Sequence, residues 1–377
     1  MVVGKIVHDP HQLGPWLSRW DALAVTSRLP YCAPAWMLAW WRHAAPPYSQ
    51  LRVVTVTNEG ELLGVAPFFL EQGLGRLNRY RLLGPRNSTP RDLLARPGAE
   101  KQVAAAIATT IATAEQRPHL VLLDGIRSDS RWPEWLAQAW PCRVAPAQHT
   151  AGSDTAPTLE VRGTFEQWLA SKSSNFRQQM RRHRRQLERR GAVFRLATSA
   201  EDIERGLRAF SLLHHSRWSG RGGSARLNQG IELMLREAAK ALLGHVRFRL
   251  WSIEVDGKVI SSQIFVAAGG ELAYWLGGFD DAWAAQQPAL QTILAAIQHA
   301  WEVGDTRISL GGGGQEYKYR FADGHDVVEA ISLVPFGLRY PITQAQLVAV
   351  ARISPRARER LKGVLKAGPH ITTVKKN

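Results

Sequence analysis

Residues Phe248–Val266 read FRLWSIEVDGKVISSQIFV. Two runs rich in apolar and β-branched residues flank Asp256-Gly257. Asp-Gly between two such runs is a strong short-range mark of a β-hairpin, because the tight turn needs positive φ at its centre. The same device stands at Leu51–Leu70, LRVVTVTNEGELLGVAPFFL, with Gly60 at the turn. Further on, each half has a long helical pattern and then a short apolar strand. In the first half these are EKQVAAAIATTIATAEQ and HLVLLDGI; in the second, ALQTILAAIQHAWEVG and TRISLGGG. The offsets are similar, and a duplicated α+β unit explains them.

The chain has 377 residues, enough for two domains, each with its own core. The polar stretch Pro146–Thr158, PAQHTAGSDTAPT, reads as a strand-poor joint and divides the chain into residues 1–150 and 151–377. Thr164 with Gln167 then forms a capping box that opens a helix in the second half.

Composition is that of an ordinary globular protein, 45% hydrophobic and 21% charged. The formal charge of +16 favours partners that carry phosphate or carboxylate. Cys32 and Cys142 are too few for a disulfide framework or a zinc motif, so no metal is expected. The opening MVVGKIVHDPHQLG has no apolar core of leader length, and the cytoplasm is the expected location. VAAAIATTIATA is too short and polar to cross a bilayer, so no membrane insertion is expected.

Charge concentrates in Ser171–Gly191, SKSSNFRQQMRRHRRQLERRG, where seven arginines fall between Arg177 and Arg190 with Glu188 as the only acid. Phe176, Met180, His183 and Leu187 recur at helical spacing, Ser173 or Ser174 can cap the start, and Gly191 suits the end. The pattern predicts an amphipathic helix with a narrow apolar stripe. Its arginines either form a solvated face or, with Arg177, Arg181, Arg182 and Arg185 foremost, bind phosphate or substrate.

In the second half, the predicted strand ELAYWLGGF is followed by a loop, DDAWAAQQ, and by Pro288 in a first-turn position. Leu290, Ile293, Leu294, Ile297 and Trp301 define the expected buried face, and Gly304 ends the helix. The exposed N-terminus of such a helix can take an anion.

Several segments occur together in a fixed order: Asn175-Phe176-Arg177 with the arginine helix, Arg217-Trp218, Asp256-Gly257, Gly278-Phe279-Asp280, and Gly314–Phe321, GQEYKYRF. With APAWMLAWWRHA, GVAPFFL and RLLGPRN in the first half, the chain resembles the CelD/BcsL-like acetyltransferases of the GNAT superfamily over nearly its whole length. The resemblance implies two tandem GNAT-like domains of α+β class, each a mixed, mostly antiparallel sheet flanked by helices. It implies a degenerate N-terminal domain and a catalytic C-terminal one with a basic C-terminal helix. It further implies acyl transfer from acyl-CoA to an amine or hydroxyl on a small molecule or glycan. The related FemABX aminoacyltransferases share the tandem fold and the closing Tyr317-Lys318-Tyr319-Arg320-Phe321 element, so aminoacyl-tRNA is the alternative donor, with tRNA as a possible partner. Gln287, Pro288, Ala289, Leu290 and Gln291 are the expected donor site, where the family has Ser-Pro-Gly; Ser309 replaces a frequent aspartate.

Along QEYKYRF, strand alternation puts Glu316, Lys318 and Arg320 on one face and Tyr317, Tyr319 and Phe321 on the other. Lys318 either holds an oxyanion or is a surface lysine paired with an acid; Glu316 either acts as a base or is an edge-strand carboxylate. Tyr317 is grouped with them as a catalytic candidate. Gly311 and Gly312 open a four-glycine run that permits close approach of a ligand or makes a bulge. His215, beside His214, either moves a proton or complements a helix dipole. Trp218 and Tyr274 are candidate walls of an acceptor pocket, under a glycine-rich lid, SGRGGS.

Overall fold

The structure, a computed structural model, describes residues 1–219, 222–224 and 226–352. The basic stretch expected after Arg352, and Gly220 and Arg221 of the expected lid, lie outside the described residues.

The first half begins with β1 (Val2–Val7), α1 (Leu17–Thr26) and α2 (Pro34–Ala44). The first hairpin follows as β2 (Gln50–Asn58) and β3 (Glu61–Gly73), with β4 (Leu77–Leu82) and the short β5 (Leu94–Ala95). Then come α3 (Glu100–Ala112), β6 (Leu120–Arg127), α4 (Trp132–Gln138) and β7 (Ala147–Glu160). The second half opens with α5 (Phe165–Ser171), α6 (Ser174–Arg189), β8 (Val193–Leu196), α7 (Ala200–Ser219) and α8 (Gln229–Leu243). It continues with β9 (Phe248–Val255), β10 (Lys258–Ala268), β11 (Glu271–Phe279), α9 (Pro288–Glu302) and β12 (Arg307–Ser309). The last elements among the described residues are α10 (Glu316–Tyr319), β13 (Gly324–Val334) and α11 (Tyr340–Arg352).

All strands among the described residues join one sheet in the order β1-β2-β3-β4-β6-β13-β7-β12-β11-β10-β9-β8, with β5 beside β3. The order is the same when read inward from either edge. Each half contributes antiparallel strands and then one parallel pair, β4 with β6 and β11 with β12. A parallel neighbour needs a crossover, and α3 and α9 supply the two. The last strand of each half crosses over: β7 pairs β12 of the second half, and β13 pairs β6 of the first. β7 and β13 pair with each other from Gly324 opposite Thr158 to Val334 opposite Ala147. A pseudo-two-fold therefore passes through this central pair.

That result corrects the reading of Pro146–Thr158 as a strand-poor joint. Its Thr, Ser, His and Gly residues look like a loop in isolation, but β13 pairs the strand from Ala147 to Thr158 and β12 pairs it from Thr158 to Glu160. Arg307 adds a clamp at the centre. Its guanidinium pairs with Glu160 on β7 (3.0 Å), Glu271 on β11 (3.2 Å) and Asp326 on β13 (2.7 Å).

The expected helices and their ends are present. Thr164 and Gln167 form the reciprocal capping box on α5. Ser173 caps α6 by accepting from Phe176 N, and Gly191 has φ +73°. Phe176, Met180, His183 and Leu187 are the buried stripe of α6, as their spacing predicts. α9 starts at Pro288, but its buried face is wider than expected. Gln291, Thr292, Ala296 and Ala300 are buried with Ile293 and Ile297, whereas Leu290, Leu294 and Trp301 pack only partly. α6 lies against α9, and the Gln291 amide donates to Met180 O (3.1 Å), so polar side chains do packing work here.

One core is common to both halves. Residues of α1 and α2, such as Trp20, Trp36 and Met37, cluster with Phe210, Met234 and Leu235 of α7 and α8 over strands of both halves. Trp36 stands against Trp275 of β11, with centroids 5.5 Å apart and rings at 77°. Its indole N–H donates to Ser88 Oγ (3.1 Å). Truncating such a buried tryptophan costs about 3–5 kcal/mol. Trp36 thus ties α2 of the first half to β11 of the second.

Candidate active site

Where a parallel pair diverges, side chains and backbone groups on both strands face an opening. The second half diverges past Ala273 on β11 and Ser309 on β12, the last paired residues. The first diverges past Arg81 on β4 and Leu122 on β6. Because the halves are related by the pseudo-two-fold, both openings face one central cavity of about 790 Å³. Its walls include Leu82, Gly84, Asp124 and Gly125 from one opening and Tyr274, Leu276, Gly311 and Gly312 from the other. Gly152–Asp154 of β7 and Val328–Ala330 of β13 also line it.

The two openings are closed to different extents. In the first half, Arg91 is 1% exposed and straps the opening shut. It donates to Leu83 O (3.0 Å) and Gly84 O (2.9 Å) on one strand and to Asp124 O (3.0 Å) on the other. Arg91 and Arg81 also hold the Asp124 carboxylate, at 3.1 and 3.2 Å. Burial raises the Asp124 pKa, but Arg91, Arg81 and Arg86 together bring it below the usual range.

In the second half the corresponding cation is Lys318, which is 5% exposed. Its ammonium donates to Gly311 O (3.1 Å) and Gly312 O (2.9 Å), leaving one N–H for the cavity that it lines. Burial lowers its pKa to about 8; Arg226 lowers it too, and Asp154 acts in the opposite sense. No carboxylate lies within salt-bridge distance of it among the described residues. The surface-lysine reading is thereby excluded.

The expected strand through QEYKYRF is corrected to a single helical turn, α10. Gly311 and Gly313 adopt φ +73° and +97°, which turns the chain after β12. The turn buries Lys318 and Phe321 three residues apart, and Phe321 meets Phe176 edge-on at 5.4 Å. Tyr317 and Lys318 accordingly both line the cavity, although alternation had put them on opposite faces.

Tyr274 is held by a buried chain of polar groups. Its hydroxyl donates to Gln263 Oε1 (3.0 Å), Gln263 donates to Ser261 Oγ (3.2 Å), and Thr292 at the start of α9 donates to the same oxygen (2.9 Å). Burial, then the neighbouring Tyr317 hydroxyl, raises the pKa of Tyr274, so it stays protonated. A register shift opposite Ile264/Phe265 leaves Trp275 out of the ladder, and the bulge re-aims the backbone where β11 lines the cavity.

The structure brings Lys318, Tyr317, Tyr274, Gly311 and Gly312 together around this cavity. Glu316 lies instead on an adjoining hollow of about 490 Å³ beside the start of α6, and Tyr317 is the wall common to both. His215 faces Glu232 (2.8 Å) away from the cavity; it is the buried His214 that bonds Gly277 O (3.3 Å) and Ser224 Oγ (2.8 Å). Trp218 is 37% exposed and lies 6.2 Å from the ring of His214. Gln287, Pro288, Ala289, Leu290 and Gln291 do not line the cavity. Gln287 is left-handed (φ +49°) at the start of α9, and Pro288 and Gln291 are buried. Arg181, Arg182 and Arg185 lie exposed along α6, and Arg177 reaches back to Ala170 O.

Sequence reasoning missed the contributions of the first half and of β7. Thr89 is 8% exposed, its hydroxyl lacks a protein partner, and it lines the cavity beside Gly312. Asp154 accepts from Thr155 N through Oδ1 (2.8 Å), and its Oδ2 lies on the Gly312 side of the cavity. Arg86 and Arg226 line the cavity as well. No local motif marks these positions; the sheet that joins the halves brings Thr89 and Asp154 beside Gly312.

Residues 174–319 match the model of the acetyltransferase (GNAT) domain. No curated protein matches the chain. Among solved structures, FemX superposes with a TM-score of 0.63 at 12% identity, over 91% of this chain and 100% of that one. The C-terminal domain (DUF2156) of a putative lysylphosphatidylglycerol synthetase from Agrobacterium fabrum gives 0.55 at 10% identity, over 90% and 97%. L-PGS from Bacillus licheniformis gives 0.52 at 14%, over 91% and 96%. At such identities the likeness bears on fold. Fold and domain match together make this chain a transferase of α+β class, built as two GNAT-like units in one sheet.

Proposed function

We propose that the chain is an acyltransferase whose reaction takes place in the central cavity, with Lys318 as the oxyanion donor. The observation that carries this reading is a buried ammonium, fixed by two glycine carbonyls, with one N–H left toward a cavity of ligand size. In acyl transfer, a lone pair on the acceptor amine or hydroxyl forms a bond to the donor's carbonyl carbon. The carbonyl oxygen takes up charge, which Lys318 stabilises. The bond to the leaving sulfur or oxygen then breaks. Asp154 Oδ2 takes the acceptor's proton and passes it to the leaving group. Tyr274 and Tyr317 position the donor's acyl end. The first half, its own opening strapped by Arg91, serves as the degenerate partner that completes the cavity.

The first reading of the donor is an acyl-CoA thioester, in line with the acetyltransferase domain match and with the CelD/BcsL-like motif order. An acceptor in polysaccharide, envelope or specialised-metabolite synthesis, in the cytoplasm, belongs to that reading. The second is an aminoacyl ester of tRNA. It is favoured by α6, which packs against α9 through Met180 and leaves Arg181, Arg182 and Arg185 exposed for a polynucleotide backbone. Two structural neighbours, FemX and the putative lysylphosphatidylglycerol synthetase, point the same way.

The test is single-turnover transfer to a panel of amines, amino sugars and alcohols, with acetyl-CoA or charged tRNA supplied separately. Transfer from acetyl-CoA alone establishes the first reading, and from charged tRNA alone the second. Transfer from neither, with Lys318→Met indistinguishable from wild type, refutes the assignment.

A further inference from the structure

The face around the start of α11 plays no part in the cavity. Between β13 and the first turn of α11, three apolar side chains point outward: Phe336 (46% exposed), Leu338 (97%) and Ile342 (45%). Phe336 is held by stacking on Tyr340, with centroids 4.3 Å apart. Cations surround this group. Arg339 donates to Gly75 O (2.8 Å), which brings exposed Arg76 alongside. The neighbouring His119 is kept below its usual pKa by burial, then by Arg339 and Arg117, with no carboxylate among the groups acting on it.

We propose that this face docks the protein peripherally on an anionic lipid surface. Phe336, Leu338 and Ile342 would enter the headgroup boundary, while Arg76, Arg117 and Arg339 meet lipid phosphates. Adjoining exposed apolar side chains ringed by cations match the two signals that shallow membrane binding needs. A nucleic acid would use the arginines but gains little from an exposed Leu and Ile. A second copy of this chain would bring the same positive charge against itself. No helix among the described residues is long and apolar enough to cross a membrane, so the contact lies on the surface.

The full chain should co-sediment with phosphatidylcholine vesicles containing about 30% phosphatidylglycerol and not with phosphatidylcholine alone, and salt should weaken the binding. Leu338→Asp should lower partitioning about tenfold, and Arg117→Gln/Arg339→Gln by a similar factor, with melting temperatures checked for each. A variant that keeps the face intact gives a second readout. Cys32 is buried and Cys142 exposed. In a Cys142→Ser background, Leu338→Cys carrying an environment-sensitive dye should shift to shorter wavelength only with anionic vesicles. Wild-type protein that stays in solution, or a dye that does not respond, overturns the proposal. So does a dimer that Leu338→Asp converts to monomer, or RNA binding that needs Arg117 and Arg339 while vesicles are ignored. The readouts need no acyl transfer, so they succeed or fail apart from the assignment of the cavity.

Discussion

Replacing Lys318 by methionine keeps an unbranched apolar stem and removes the ammonium. If that ammonium stabilises an oxyanion, turnover should fall by about a hundredfold or more while KM changes much less. The pH dependence separates this role from a merely structural one. Burial lowers the Lys318 pKa from its ordinary 10.5 to about 8. Between those values the unfolded chain binds the proton more tightly than the folded one, so stability should rise with pH through that window. At 1.36 kcal/mol per pH unit, the gain due to this group is about 3 kcal/mol. The catalytic cation is lost over the start of the same window. Wild type should therefore gain stability and lose turnover as pH rises past about 8. Lys318→Met should lack both the rate decline and the stability gain. The assays are kcat and KM between about pH 6 and 10, with urea unfolding of both proteins at about pH 7 and 10. The unfolding difference between the two proteins cancels other titrating groups. A wild-type rate that stays level through pH 9, or a variant that keeps more than a tenth of turnover, would refute the reasoning.

Arg91→Leu should destabilise the protein by about 3–5 kcal/mol in denaturant unfolding, because three carbonyls and Asp124 lose a buried partner. Gly311→Ala introduces a Cβ 2.8 Å from Tyr274 O at a φ of +73°, and should cost about 1–3 kcal/mol and reduce turnover as the Lys318 acceptor shifts. Paired measurement of unfolding and kcat checks both effects. Arg181→Ala/Arg185→Ala should flatten the log–log salt dependence of tRNA binding by about two if a tRNA lies along α6, and change acyl-CoA binding little. An unchanged slope returns those arginines to a solvated face.

Much of the fold was legible because its marks are local. Glu59-Gly60 and Asp256-Gly257 turn the hairpins, Thr164 and Gln167 cap α5, Pro288 starts α9, and the Phe176–Leu187 stripe seats α6. The exchange of β7 and β13 was not legible, because register between strands about 180 residues apart leaves no trace in either strand alone. β7 in particular is polar enough to read as a loop. The site followed the same rule. Lys318 could be named from its motif, but its turn was misread because burial of Phe321 against Phe176 overrode the alternation of QEYKYRF. Thr89 and Asp154 reach the cavity only through the sheet that joins the halves.

The most direct test is a structure of the protein with a bound non-hydrolysable donor, either a thioether analogue of acyl-CoA or an aminoacyl-tRNA mimic bearing a stable amide. The donor's acyl carbonyl should lie in the central cavity with its oxygen about 2.7–3.2 Å from Lys318 Nζ, between Gly312 and Tyr274. A donor seated elsewhere, with its carbonyl out of reach of Lys318, would contradict the account.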